Sequence, residues 1–322
     1  MTDRLSSQAK AEIRPESVLI VGTGAMACLF GARLAPLARV TLLGTWREGL
    51  AALSQHGIRL EAGGMEQVQR VRATSNAAEC RGARFALVLV KSWQTERATR
   101  MLSVCLAEEG VALTLQNGLG NLELLTAALG GERVALGVTT TGATLLGPGR
   151  VRAGGSGPTH AARHPRLAPG LALLRAGGFL VEEAEDVEGL LWGKLAVNAA
   201  INPLTALLKV PNGRLLELPE ARALMGEAAL ETAAVARAAG IRLPYRDPVA
   251  QAEEVARRTS ENQSSMLQDR LRRAPTEIDA INGSVADEGG RRGIPTPVNR
   301  TLWRLVRAAV GMEGGDSDDR GA

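Results

Sequence analysis

The chain has 322 residues, 45% of them hydrophobic and 2% aromatic, with a formal net charge of +4. That length suits two cores. Arginines scattered among glutamates and alanines, without aromatic platforms, argue against a nucleic-acid surface, and no apolar run of about 18 residues lacks a charge, which argues against a membrane span. Cys28, Cys80 and Cys105 show no metal or disulfide spacing, and residues 1–17 contain no signal-peptide core, so a reducing cytoplasm is expected. His56, His160 and His164 have no carboxylate or thiol partner at ligand spacing, and no metal site is expected.

In chain order, Ser17–Val21 is a β-branched run, followed by Gly22, Thr23, Gly24, Ala25, Met26 and Ala27 and then a helical segment to about Ala35. This reads as strand, glycine turn and helix. Gly22 suits a tight turn, Gly24 lets backbone approach a pyrophosphate, and the small Ala27 allows helix to pack on strand. A glycine turn of this kind also has purely structural uses. A second strand, Arg39–Leu43, ends without the acid that would bind an adenosine ribose; Gly44, Thr45, Trp46 and Arg47 stand there instead. A small polar residue and an arginine favour a 2′-phosphate, hence NADP over NAD. Arg47 reads equally as an exposed residue in the first turn of the next helix.

Phe85–Val90, a helix near Thr95–Ala107 and a strand Val111–Leu115 continue the alternation and predict a doubly wound parallel sheet. Lys91 and Asn117 follow two of its strands, where ligands of such sheets bind. A solvated lysine and an Asn-Gly turn are the plain alternatives. The run Gly137–Ala143, with Thr139, Thr140 and Thr141, is a third such strand end. Leu145–Pro169 predicts an antiparallel excursion, Leu167–Ala176 a helix and Phe179–Glu183 a last strand.

From Asp186 onward the long segments have helical periodicity: Leu190–Leu208, Pro219–Ala239, Pro248–Arg258 and Ile294–Val310. The fold class is therefore α/β, with an N-terminal Rossmann-type domain over residues 15–184, a helical domain over 185–312 and a disordered tail over 313–322.

The first of those helices, LLWGKLAVNAAINPLTALL, carries Lys194, Asn198 and Asn202 at intervals of four on an otherwise apolar surface. Each step of four advances about 400° and roughly 6 Å, so the three share one face. Burying an ammonium and two amides costs on the order of several kcal/mol each unless a partner satisfies them. The stripe is either a polar ligand site or the solvated side of an amphipathic helix. A later segment from Ser260 to Pro297 is dense in polar residues, among them Asn262, Ser264, Ser265, Gln268, Asp269, Glu277, Asp279 and Asn282. Ser265 reads also as a helix N-cap, and Glu277 as a capping-box acid.

Taken together, GTGAMA, LVKSWQ, QNGLGN, WGKLAVNAAINPLTAL, SSMLQD and TEIDAING, in this order over about residues 17–310, resemble the ketopantoate reductase (2-dehydropantoate 2-reductase) family. The resemblance implies an N-terminal Rossmann domain, a helical C-terminal domain, and NADPH-dependent reduction of a 2-keto acid to (R)-pantoate on the way to pantothenate and coenzyme A. It further implies Lys194 as the proton donor, with Glu277 beside it and the nicotinamide ribose. Asn198, Asn202, Asn212, Asn262, Ser264 and Ser265 would bind substrate. Gly22 to Ala27, Arg47, Lys91, Asn117, Ala143 and Glu277 would contact NADP. A lysine in a largely apolar cleft has a depressed pKa, which suits a proton donor near neutrality. Two departures stand out: Ala27 replaces the third glycine of the usual motif, and TTTGA lacks the histidine common in that stretch. Alternatives are a reductase of another 2-oxo acid on the same fold and a dinucleotide-sensing protein without turnover. Either a monomer or a homodimer is expected.

Overall fold

The computed structural model describes residues 16–315. Contacts divide the chain into two units, the first comprising the chain through Val90, Arg97–Leu115 and Leu125–Glu185, the second Lys91–Glu96, Gln116–Leu124 and the chain from Asp186 on. Two short stretches that follow strands of the first unit thus pack with the helices of the second.

The elements up to Glu185 are β1 (Ser17–Val21), α1 (Ala25–Leu34), β2 (Arg39–Leu43), α2 (Arg47–His56), β3 (Ile58–Ala62), β4 (Met65–Gln69), β5 (Arg72–Thr74), β6 (Ala83–Val88), α3 (Thr95–Cys105), β7 (Leu106–Thr114), α4 (Asn121–Leu129), β8 (Val134–Thr139), β9 (Ala143–Gly147), β10 (Arg150–Ala153), β11 (Thr159–Ala162), α5 (Ala168–Ala176) and β12 (Val181–Ala184). An eight-stranded sheet runs in the order β12-β11-β8-β7-β6-β1-β2-β5. It is parallel from β5 to β8, after which β11 pairs antiparallel to β8 and parallel to β12. The central strands read as continuous apolar runs because both faces are covered; Ile20, Leu42, Leu87 and Leu113 are buried beside Leu29, Phe30 and Leu171. Phe30 stacks on Phe179 with ring centroids 4.0 Å apart.

β1 pairs with β2 on one side and with β6 on the other. The strand order reverses there, and open α/β sheets bind ligands beyond the carboxyl ends of strands at such a point. The glycine turn leaves β1 at that end.

A smaller sheet, β4-β3-β10-β9, was not legible in the sequence. Its β9–β10 hairpin is the predicted antiparallel excursion. The helix expected to Ala107 ends at Cys105, and β7 begins at Leu106, well before the predicted Val111. The register between β6 and β7 shifts between Ala83 and Phe85, so the polar Ala107–Gly110 stretch is accommodated in strand form.

The second unit contains α6 (Val187–Leu208), α7 (Arg214–Glu217), α8 (Pro219–Ala238), α9 (Pro248–Arg258), α10 (Ser265–Leu271), α11 (Ser284–Arg292) and α12 (Pro297–Gly315). Asp186 caps α6 by accepting from the Gly189 N–H at 2.8 Å. α6 is buried along most of its length against α8, α9, α10 and α12. It contains Pro203, which has no N–H for the Ala199 carbonyl one turn earlier. Asn282 fills that gap: its Nδ2 donates to the Ala199 carbonyl at 3.0 Å and to Asn299 Oδ1 at 2.9 Å. Asn282 lies in a π-helical turn, Asp279–Gly283, that leads into α11.

α12 continues to Gly315, so residues 313–315 of the expected disordered tail are helical in backbone; residues 316–322 and the amino-terminal segment before residue 16 lie outside the described residues. Among the described residues no helix is long and apolar enough to cross a membrane.

Candidate active site

Along the middle of α6, residues 190, 194 and 198 are partly open while their neighbours are buried, so Lys194 and Asn198 share an accessible strip whose next step, Asn202, is covered. Lys194 and Asn198 are half-buried, and Asn202 is buried. Burial pushes the Lys194 ammonium down to about 8, against the charge of Glu277, which favours the protonated form.

Glu277 is buried and its carboxylate is fully engaged. Oε1 accepts from the Ser92 backbone N–H at 3.0 Å, and Oε2 from Asn117 Nδ2 at 3.3 Å and Lys91 Nζ at 3.4 Å. Lys91 also pairs with Asp269 Oδ2 at 2.6 Å, while Asp269 Oδ1 accepts from Arg272 at 2.9 Å. Burial raises the pKa of Asp269 against the pull of Lys91. For Lys91 burial acts downward, but Glu277 and Asp269 outweigh it and hold the ammonium above its ordinary range. Three cations, Lys91, Lys194 and Arg272, therefore accompany two carboxylates, an excess of one positive charge suited to an anionic ligand.

Backbone stitching fixes this cluster. Gly118 has φ +81°, a conformation that favours glycine, and a Cβ there would lie 2.4 Å from the Ala280 carbonyl oxygen. The Leu119 N–H donates to that same oxygen at 3.0 Å. Gln116 donates to Thr95 at 2.8 Å, Thr95 to Asn121 at 2.7 Å, and Asn121 to the Asn117 carbonyl at 3.0 Å. Asn117 is thus in an Asn-Gly turn, and that turn presents its amide to Glu277.

Of the remaining predicted substrate residues, Ser264, not Ser265, is the N-cap of α10, accepting from the Leu267 N–H at 3.1 Å and from the Thr205 hydroxyl at 2.7 Å. Ser265 occupies the first helical position and is half-buried. Asn212 donates Nδ2–H to Thr259 at 2.8 Å, and its backbone N–H bonds to the exposed Asn262's carbonyl at 3.0 Å. Its Oδ1 is buried without a hydrogen-bond partner among the described residues.

The predicted cofactor residues Gly22 to Ala27, Arg47 and Ala143 belong to the first unit. Gly22 has φ +133°, and a Cβ would approach the Leu89 carbonyl oxygen to 2.9 Å. A Cβ on Gly24 would meet nothing within 4 Å, so the turn presents open backbone at the start of α1. No side chain caps that helix and no acid stands in its first turn. Uncapped N–H groups at the positive end of a helix dipole fit a pyrophosphate. Ala27 is buried in the core, where a small residue is needed. Arg47 is exposed at the start of α2. Ala143 opens β9, and the nearby Thr139 and Thr141 hydroxyls bond to Thr159 at 2.8 Å and the Gly157 carbonyl at 2.9 Å.

Sequence reasoning assigned no role to Asp269, the nearest counter-ion of Lys91, although it stood in a segment noted as unusually polar. The two are 178 residues apart, and no local pattern links them. Among the described residues no group of three or more His, Cys, Asp or Glu is placed to hold a metal ion.

Comparison with known proteins gives matches over nearly the whole chain. Residues 18–166 match the family model described as ketopantoate reductase PanE/ApbA, and residues 186–310 its C-terminal counterpart. The 2-dehydropantoate 2-reductase of Archaeoglobus fulgidus is 36% identical over 310 residues, covering 94% of this chain and 100% of that protein. That of Halobacterium salinarum is 35% identical over 300 residues, 91% and 98% respectively. A PanE/ApbA family ketopantoate reductase from Ralstonia eutropha superposes with a TM-score of 0.87 at 34% identity, covering 92% of this chain and 99% of that one. D-mandelate dehydrogenase with NADH and anilino(oxo)acetate shares the fold, with a TM-score of 0.86 at 24% identity, covering 92% and 99%.

Proposed function

Because the chain belongs to the ketopantoate reductase family, an oxidoreductase family with a Rossmann-type fold, we propose that it reduces 2-dehydropantoate to (R)-pantoate with NADPH, in the cytoplasm and in service of pantothenate and coenzyme A synthesis. The observation that carries this reading is Lys194, half-buried on an apolar helix, held near 8 by burial and faced by the Glu277 charge. The glycine turn and the open start of α1 would hold NADPH, which would supply the hydride for the keto carbon. The division of labour between an NADP-binding domain and a helical substrate domain is part of the same proposal.

The protein's own residues hold the keto acid and manage one proton. As charge grows on the keto oxygen, the Lys194 ammonium stabilises it and transfers a proton from Nζ. Its lowered pKa makes that transfer easier than from an ordinary lysine, while leaving most molecules protonated at pH 7. Glu277 keeps the ammonium from losing its proton altogether. Asn198 offers its amide along the same strip, with the buried Asn202 one turn on, and Ser265 offers a hydroxyl for the substrate carboxylate. Lys91 and Asn117, both tied to Glu277, are cofactor contacts in this proposal.

Asn212, held by the Thr259 hydroxyl and the Asn262 carbonyl, is a further substrate contact in this proposal.

The test is NADPH oxidation with 2-dehydropantoate, its analogue lacking the hydroxyl, and a panel of other 2-oxo acids, beside Lys194→Ala. Turnover that prefers 2-dehydropantoate and collapses in the variant supports the reading. Activity confined to another keto acid transfers the mechanism to that substrate, and cofactor binding with no turnover on any of them sinks it. Size measurement with and without cofactor decides between a monomer and a homodimer.

A further inference from the structure

Beyond the carboxyl end of β2, two segments distant in sequence bring polar side chains together. Arg97, in the first turn of α3, donates an Nη1–H to the hydroxyl oxygen of Thr45 at 2.8 Å. Arg47 starts α2 two residues later, and all three side chains are exposed.

This group stands next to the glycine turn. The Gly22 N–H bonds to the Leu43 carbonyl at 2.8 Å. Gly44 is pressed against Thr23 of that turn, a Cβ on it reaching Thr23 Cγ2 at 2.9 Å. Thr45 is the next residue.

One nearby acid already has partners of its own. β5, the neighbour of β2, ends close by, its Thr74 carbonyl accepting from the Gly44 N–H at 3.1 Å. The carboxylate that follows it, Glu79, is occupied by Arg72 at 2.7 Å, Thr74 at 3.0 Å and Asn76 at 3.3 Å. Glu48 and Glu96 each adjoin one of the arginines on a helix, where consecutive side chains diverge.

We propose that Arg97, oriented by Thr45, is a second cation for the adenosine 2′-phosphate beside Arg47 and sets the choice of NADPH over NADH; this rests on reading the glycine turn as an NADP site. Thr45 accepts from Arg97, which leaves its own hydroxyl proton to point at a phosphate oxygen. The guanidinium keeps further N–H donors in a planar fork that suits phosphate. A 2′-phosphate carries a charge of about −1.5 to −2, whereas the ribose hydroxyl of NADH offers no anion. Arg97 therefore contributes to one cofactor and not to the other.

Calorimetric titration of the full-length protein with NADP⁺ and NAD⁺, without substrate, tests this in wild type, Arg97→Ala and Thr45→Val. Wild type binds NADP⁺ more tightly. Arg97→Ala loses roughly tenfold or more for NADP⁺, the scale of a charge-assisted hydrogen bond, with NAD⁺ affinity held within about twofold. Thr45→Val shifts in the same direction by less. An Arg97→Ala protein that keeps its full NADP⁺ affinity, or weakens equally for both cofactors, overturns the assignment while the NADP site stands. A wild type that binds both equally overturns the NADP reading and Arg97's role with it.

Discussion

At the scale of single residues, the role proposed for Lys194 as proton donor sets chemistry against stability. The unfolded lysine holds its proton up to about the ordinary 10.5 and the folded one only up to about 8, so between those values the unfolded chain binds more protons and stability rises with pH. Below about 8 the burial penalty is fully present. Lys194→Met is expected to raise Tm at pH 7, by an amount that shrinks toward pH 10, and to lower kcat by about 10²–10⁴; thermal melts at the two pH values and steady-state rates check both. In wild type, kcat/KM should hold to about pH 8 and fall above it as the donor deprotonates. Asp269 shares Lys91 with Glu277, the acid that favours the protonated Lys194. Asp269→Asn removes a negative charge and leaves Lys91 with Glu277 alone, so Glu277 supports Lys194 less and the alkaline limb moves to lower pH. An unmoved limb with only an altered KM would show that Asp269 merely shapes the turn.

At the scale of elements, α6 was legible because its message is periodic: one stripe at steps of four against an apolar remainder survives any tertiary context. The glycine turn and the alternation of strands and helices were legible for the same reason. What completes the site was not. Asn282 looked like one polar residue among many, and its use, closing the gap left by Pro203 in α6, becomes visible only when residues 83 apart in sequence meet. The β7 start was misread because its Glu108–Glu109–Gly110 stretch has helix-like polarity, and β3 to β5 escaped notice as short strands among charges and glycines. Two predictions belong here. Asn282→Leu strips the Ala199 carbonyl and Asn299 of a buried donor and should destabilise by about 1–3 kcal/mol per orphaned group, read by chemical denaturation. Gly118→Ala pits a Cβ against the Ala280 carbonyl at a positive φ, so it should shift the turn that bears Glu277 and lose activity beyond its loss of stability.

At the scale of the whole molecule, the second unit is not the carboxyl-terminal segment alone. It includes Lys91–Glu96 and Gln116–Leu124, which supply the Lys91, Ser92 and Asn117 donors of Glu277. A fragment of residues 186–315 would bury Glu277 without its Lys91, Ser92 and Asn117 donors and leave Asp269 with Arg272 alone, and buried carboxylates stripped of partners are strongly destabilising. It is expected to lack a cooperative unfolding transition that the full chain shows, which calorimetry would reveal. Sharp, full-length-like melting of that fragment would mean the inserted stretches contribute little.

The same interleaving has a consequence for how the protein comes into being. Ribosomes deliver the amino-terminal half first, at about 5–20 residues per second. Lys91 and Asn117 emerge long before Glu277, which follows them by 186 and 160 residues. The sheet can close around its own core in that interval, but the charged cluster waits for nearly the last helices to arrive. A chain broken off before that point carries the lysines without Glu277, so an unfinished copy lacks the proposed site.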